Sequence, residues 1–253
     1  VKDELDMLPF PTMVGTKFYN TQPPVEDATT VERLRSAGAL MVGKTNMHEI
    51  GMGVTGLNTH YGTTRNPHHL DHYPGGSSSG SAAAVAAGLC PIALGLDGGG
   101  SIRIPASLCG VVGLKTTWGR ISSAGSAPLS WSLSTVGPIT STVRDTALAY
   151  SFLAGPDSRQ VLTQDQPPVD LQDFDNSDLT GVRLGVFLPW FNHASADIVQ
   201  SCNQMLDAFK SQGATVQEIE IPDLDEIRIA HVVSIVTEML TSLQTNFKPF
   251  RQP

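Results

Sequence analysis

Charge is scarce in this chain. Only 16% of its 253 residues are Asp, Glu, Lys or Arg, against about a quarter in ordinary soluble domains. The formal net charge is −8, so repulsion excludes a polyanion such as nucleic acid as a partner. Cysteine is scarcer still. Cys90, Cys109 and Cys202 are odd in number and lack CxxC spacing, which argues against a disulfide scaffold or zinc knuckle and for an intracellular, reducing compartment. No stretch approaches the roughly 20 apolar residues of a membrane span, and no secretory leader is visible. Membrane association is left to segments outside a chain that opens on Val1. Disorder is excluded at 40% hydrophobic content and a mean hydropathy of −0.03.

Charge and glycine are both unevenly placed. Residues 1–154 hold ten acidic and ten basic side chains, whereas 155–253 hold fourteen and six, so the second part carries the whole excess. Hydrophobic spacing predicts helices over 27–37, 81–87, 144–153, 196–212 and 226–247, and strands over 39–42, 91–96, 182–188 and 215–221. The serines before residue 81 are expected to cap their helix. Ile198, Val199, Cys202, Met205, Leu206 and Phe209 fall at amphipathic spacing. The polar stretch 157–180 reads as a surface connection. Strands alternating with helices indicate an α/β layered sheet.

Three short motifs suggest chemistry that their context denies. Gly38 to Thr45 satisfies the Walker A pattern, but a P-loop needs a strand before it and a flexible turn within it. Gly51-Met-Gly53-Val-Thr-Gly56 is a GxGxxG without a strand before it or a helix after it. Gly76-Ser-Ser78-Ser-Gly80 matches the GxSxG nucleophile elbow, yet His72-Tyr73-Pro74-Gly75 precedes it where a strand is required. His60, His68, His69 and His72 invite a metal, but Pro67 stands where an HxHxDH motif needs its first ligand. Surface-loop histidines are the better account, and no metal or cofactor is expected.

Residues 75–113 behave differently. These 39 positions contain ten glycines, six serines and two charges, Asp97 and Arg103. Ala83-Ala84-Val85, Ile92-Ala93-Leu94, Ile102, Ile104 and Leu108 interleave them, so the segment must be buried, where glycine marks close backbone approach or unusual φ/ψ. Within it, Asp97-Gly98-Gly99-Gly100-Ser101 follows a predicted strand. Bare N–H groups around such a serine can converge on one oxygen, as in an oxyanion hole. A serine nucleophile also needs a base, and the segment holds no histidine.

Gly75 to Gly88 followed by Asp97 to Pro105 resembles the amidase signature family. The likeness extends through Val1-Lys2-Asp3, Gly43-Lys-Thr-Asn-Met47, Cys109-Gly110, Gly113-Leu-Lys-Thr116 and Val136-Gly-Pro138. The resemblance implies a mixed β-sheet core covered by helices on both faces. It also implies that residues 1–253 are part of a single domain truncated at both ends, with a signature core over 1–154 and an acidic continuation after it. The implied catalytic set is Lys2 as base, Ser77 as a proton relay following a cis peptide bond, and Ser101 as nucleophile. Lys44 belongs to a second motif read as structural. Spacings of 24 residues from Ser77 to Ser101 and 75 from Lys2 to Ser77 fit the family pattern.

As a base, Lys2 must be neutral, although an unperturbed lysine titrates near 10.4. Burial among apolar or hydroxyl neighbours is the expected means. In the implied cycle Ser101 attacks an amide carbonyl, the N–H groups of Gly98, Gly99, Gly100 and Ser101 hold the oxyanion, and water hydrolyses the acyl-enzyme. Asp97 and Arg103 are expected to support the glycine loop. Met47 to Gly53, Tyr61 to His68 and Asp97-Gly-Gly-Gly-Ser101 most resemble the plant-type fatty acid amide hydrolase branch. Gly98 is a departure from the more usual threonine, and Leu96 from a small polar residue. A small-molecule or lipid amide is the implied substrate. The alternatives are a glutamine-hydrolysing component of a tRNA-dependent amidotransferase and a non-catalytic module; homodimerisation stays open.

Overall fold

The computed structural model describes residues 1–247. The chain divides into two compact units, one of residues 1–169 with the chain from 233 on, the other Asp170–Val232. The boundary falls inside the polar stretch 157–180.

The first unit is built on three antiparallel strands, β1 (Ile92–Asp97), β2 (Val112–Gly113) and β3 (Thr135–Thr140), in the order β1-β3-β2. Its helices are α1 (Thr29–Ser36), α2 (Ser79–Ala86), α3 (Arg103–Leu108) and α4 (Val143–Leu153). Strand side chains alternate between faces, and the two faces bury different helices. Leu94, Leu96 and Val136 pack with Val31 and Leu34 of α1 and Ala149 and Leu153 of α4. Ala93 and Ile139, directly paired across the ladder, pack with Ala82 and Val85 of α2 and with Ile102 and Cys109, which flank α3. Helices therefore cover both faces, as the α/β reading requires.

Between those layers lies a slot made by two opposed glycines. Gly95 and Gly137 pair across the ladder, and the Ile102 side chain lies over them. A Cβ on Gly95 would stand 2.9 Å from Ile102 Cγ1, and one on Gly137 would stand 2.1 Å from the Leu114 carbonyl oxygen. Ile102 is fully buried as a result, and it follows Ser101 in the chain.

The second unit pairs β4 (Arg183–Val186) with β5 (Thr215–Glu218) in parallel, after the short α5 (Leu188–Phe191) and through α6 (Ala196–Ser211). A final helix, α7 (Leu224–Phe247), begins here and belongs to the first unit from residue 233 on. Among the described residues no helix is long and apolar enough to cross a membrane.

Several expectations are corrected. Residues 39–42 form no strand; Leu40 and Val42 are 90% and 81% exposed, because this apolar run lies outside the sheet. The serines before α2 do not cap it: Ser78 at the N-cap turns its Oγ to the backbone of Leu96 instead. On α6 only Val199, Leu206 and Phe209 are partly covered, while Ile198, Cys202 and Met205 are exposed. The 157–180 connection is not all surface. Asp157 and Thr163 are buried, and Asp157 accepts hydrogen bonds from the hydroxyls of Thr29 and Ser122. No element was expected at α3, β2 or β3; prolines such as Pro105 and Pro138 disfavour regular structure in most contexts. Pro105 sits in the first turn of α3, where its missing N–H costs nothing.

Candidate active site

Lys2 is held by backbone before its side chain does anything. Its N–H donates to Leu94 O of β1 at 3.1 Å, and it bridges to Thr45 on its other side. The side chain runs inward and is fully buried. Its Nζ donates to Ser77 Oγ at 2.8 Å and to Leu96 O at 3.1 Å. A third neighbour is Glu4, whose Oε2 lies 2.7 Å away as an ion pair. That approach lies off hydrogen-bond alignment, and Oε2 accepts no other hydrogen bond among the described residues. Sequence reasoning missed Glu4. The signal was there: an acid two residues from a lysine that must be buried.

Ser77 follows a cis peptide bond from Gly76 and is buried. Its carbonyl accepts the His48 N–H at 3.1 Å, and the next N–H, of Ser78, donates to Ser101 O at 3.1 Å. The Ser77 segment is thus stitched to the Ser101 segment one residue on. Ser101 itself is half-buried in the turn between β1 and α3. Lys2 and Ser77 are buried, and Ser101 is the more exposed of the three.

The glycine loop is organised by one carboxylate. Asp97, fully buried at the end of β1, accepts from Gly100 N at 2.6 Å, Ile102 N at 3.0 Å and Arg103 N at 3.3 Å. Arg103, half exposed, adds a bidentate pair at 3.0 and 3.1 Å. Burial alone would raise the Asp97 carboxyl; the Arg103 hydrogen bonds and the Gly100 and Ile102 N–H groups outweigh it and hold the group below its usual range. Gly100 adopts φ +121°, where a Cβ would also meet Ile104 Cδ1 at 2.5 Å. Since the Gly100 N–H is taken by Asp97, it is not available to an oxyanion in this arrangement, which narrows the expected donor set. The N–H groups of Gly99 and Ser101 donate to nothing among the described residues. At Gly98, a side chain would approach Ser134 Oγ at 3.1 Å and Ile235 Cδ1 at 3.2 Å, so this departure from threonine is matched by what surrounds it.

The discarded motifs fall outside this cluster or inside its walls. Lys44 donates to Leu5 O at 2.5 Å and Thr12 Oγ1 at 3.2 Å and pairs with Asp3 at 3.4 Å, a structural clamp. Ser78, the elbow candidate, is sealed against β1. His60 pairs with Glu49, and His68 meets the Cys109 carbonyl. Among the described residues no group of three His, Cys, Asp or Glu is arranged to hold a metal.

The family model described as Amidase matches residues 1–248. The chain is 47% identical to a fatty acid amide hydrolase of Medicago truncatula over 98% of its own length and 42% of that protein's. It is 42% identical to a glutamyl-tRNA(Gln) amidotransferase component of Nitratidesulfovibrio vulgaris, over 96% of this chain and 50% of the relative. Among solved structures, the corresponding glutamyl-tRNA(Gln) amidotransferase component from Thermotoga maritima superposes with a TM-score of 0.90 at 35% identity, covering 95% of this chain and 53% of that one. The chain spans about half the length of each.

Proposed function

The chain belongs to the amidase family, and from that premise we propose that it carries the catalytic core of a serine amidohydrolase acting through an acyl-enzyme. The observation that carries this reading is the buried contact of Lys2 Nζ with Ser77 Oγ at 2.8 Å. A lysine withdrawn from solvent with a serine hydroxyl in hydrogen-bond reach is placed to exchange a proton with it. Lys2 takes the Ser77 proton as Ser77 takes that of Ser101, and the Ser101 oxygen attacks the amide carbonyl. Gly99 and Ser101 N–H groups hold the oxyanion while Asp97 keeps their loop in shape. The proton then returns through Ser77 to the leaving amine, and water releases the acid.

For the substrate we propose a fatty acid amide. The Gly98 loop and the higher identity to the plant relative, 47% against 42% for the amidotransferase component, support that branch. Ile235 against Gly98 gives the loop an apolar neighbour.

A fluorophosphonate probe tests the chemistry on the purified protein. Labelling is expected at Ser101 and is lost in Ser101→Ala; a variant that labels like wild type refutes the nucleophile. Lys2→Ala and Ser77→Ala are each expected to lower amide turnover by about 10²–10⁴-fold. Hydrolysis of glutamine but not of a long-chain N-acylethanolamine selects the amidotransferase reading instead.

A further inference from the structure

We propose that Glu4 is a positioning residue of this site, the fixed counter-charge that receives the ammonium formed when Lys2 takes its proton; the inference rests on the serine hydrolase reading above. The geometry that carries it is a count of partners. Lys2 Nζ has three oxygen neighbours, the acceptors Ser77 Oγ at 2.8 Å and Leu96 O at 3.1 Å and the ion-pair partner Glu4 Oε2 at 2.7 Å. An ammonium has three N–H groups and a neutral amine has two. With Lys2 neutral, the amine faces Leu96 O and Glu4 and turns its lone pair to the Ser77 hydroxyl. With Lys2 charged, Ser77 Oγ and Leu96 O accept its hydrogen bonds, and Glu4 Oε2, off hydrogen-bond alignment but 2.7 Å away, faces the charge itself. One cage thus fits both ends of the transfer.

Glu4 is placed to favour the second state. Its side chain is 3% exposed, and Oε2 has no other hydrogen bond among the described residues. Gly51 lines the same place, since a Cβ there would come into van der Waals contact with Ser77 Oγ at 3.7 Å and Glu4 Oε2 at 3.8 Å. An opposite charge at ion-pair distance stabilises an ammonium far more in a buried site than in water. The role parallels the carboxylate of a Ser-His-Asp triad, which stabilises the imidazolium without taking its proton. The balance closes: the Ser101 proton goes to Ser77 and the Ser77 proton to Lys2; on collapse Ser77 gives a proton to the leaving amine and recovers one from Lys2, and the hydrogen of Ser101 is restored when water hydrolyses its acyl ester. Glu4 remains a carboxylate throughout.

The other charged groups nearby are engaged elsewhere. Asp3 faces Lys44, Asp6 accepts from Thr12, and Asp97 faces Arg103. Tyr19 senses Asp6 and Glu4, its hydroxyl pushed upward first by burial. His48 is lowered by burial, against the pull of Glu49. Among the described residues Glu4 is the one carboxylate at ion-pair distance from Lys2.

The test is the pH profile of fluorophosphonate labelling at Ser101, which depends on the relay and not on the amide chosen. Removing the carboxylate in Glu4→Gln makes the ammonium less favourable, so the neutral amine is reached at lower pH. The acid limb is expected to move down by about 1–3 pH units, with a lower plateau. Glu4→Asp keeps the charge but withdraws it, and is expected to fold and give an intermediate profile. A Glu4→Gln limb at the wild-type pH, with only the rate reduced, overturns the proposal. If Glu4→Gln does not fold, an unshifted limb in Glu4→Asp does the same. Either result leaves the hydrolase reading standing as long as Ser101→Ala abolishes labelling. A wild-type protein that does not label removes both.

Discussion

The two compact units use their apolar and polar residues in opposite ways. In the first, side chains from both faces of a three-stranded sheet are sealed, and polar groups are buried with them: Lys2, Glu4, Ser77, Ser78, Asp97 and Asp157. In the second, α6 has an amphipathic sequence but no residue of the helix is fully buried, and its ion pairs, such as Lys210 with Asp207, lie at the surface. Periodicity therefore reports which element forms. Burial depends on what the remainder of the fold supplies, and a buried polar cluster specifies one arrangement only when every member has a partner.

Substitutions in matching places test that contrast. Each unit has a glycine inside a strand. Gly137→Ala would drive a methyl to 2.1 Å from the Leu114 backbone oxygen, which cannot move away cheaply. Destabilisation of at least about 1–3 kcal/mol is expected, measured by chemical unfolding. Gly185→Ala meets only Ile219 side-chain atoms, from 3.0 Å, and is expected to cost less. Equal effects would erase the distinction between the units.

Acid gives the next largest effect. Burial alone would raise the Asp157 carboxyl, but the hydroxyls of Ser122 and Thr29, with the N–H and guanidinium of Arg159, hold it at about 2 against 3.8 unperturbed. A carboxyl depressed on folding contributes stability that is fully present above the unfolded value and is lost as pH falls through the folded one. Thermal melts of the first unit should therefore lose ground between about pH 4 and about pH 2. Asp157→Asn should be less stable near neutrality and lack that part of the decline. A parallel decline in the variant would assign the acid loss to other carboxyls. The surface pairs of the second unit should contribute little to such a curve.

The smallest effect is expected on α6. Met205 is 55% exposed, so Met205→Gln should change unfolding stability by no more than about 0.5 kcal/mol. A larger loss would show that the face is covered in the assembled protein.

Legibility in the sequence did not follow that division: α1, α2, β1 and α4 of the first unit were located about as closely as α6, β4 and β5 of the second. Alternation and 3.6-residue spacing located α6, α7, β4 and β5 to within a few residues at most ends, because regular elements repeat their own signal. β3 was hidden by Gly137-Pro138, and α3 by Pro105 and its length of six residues. The run 39–42 misled because four apolar residues in a row can end up outside a sheet as well as inside one. At the site, Lys2, Ser77 and Ser101 were identifiable through motif wording. That Lys2 and Ser77 act together came from the same resemblance, because no periodicity or local pattern foretells a contact across 75 positions. Glu4 escaped because no motif named it, and only the placement of the Lys2 side chain gives it meaning.

The Leu96 carbonyl ties reactivity to heat. One residue turns its side chain into the core shared by α1 and α4 and offers its oxygen to Lys2 Nζ at 3.1 Å. The proposed base is therefore fastened near the end of a strand, and loosening of that rung would reach the amine before the chain comes apart. Turnover should consequently fail at a lower temperature than global unfolding, with recovery on cooling.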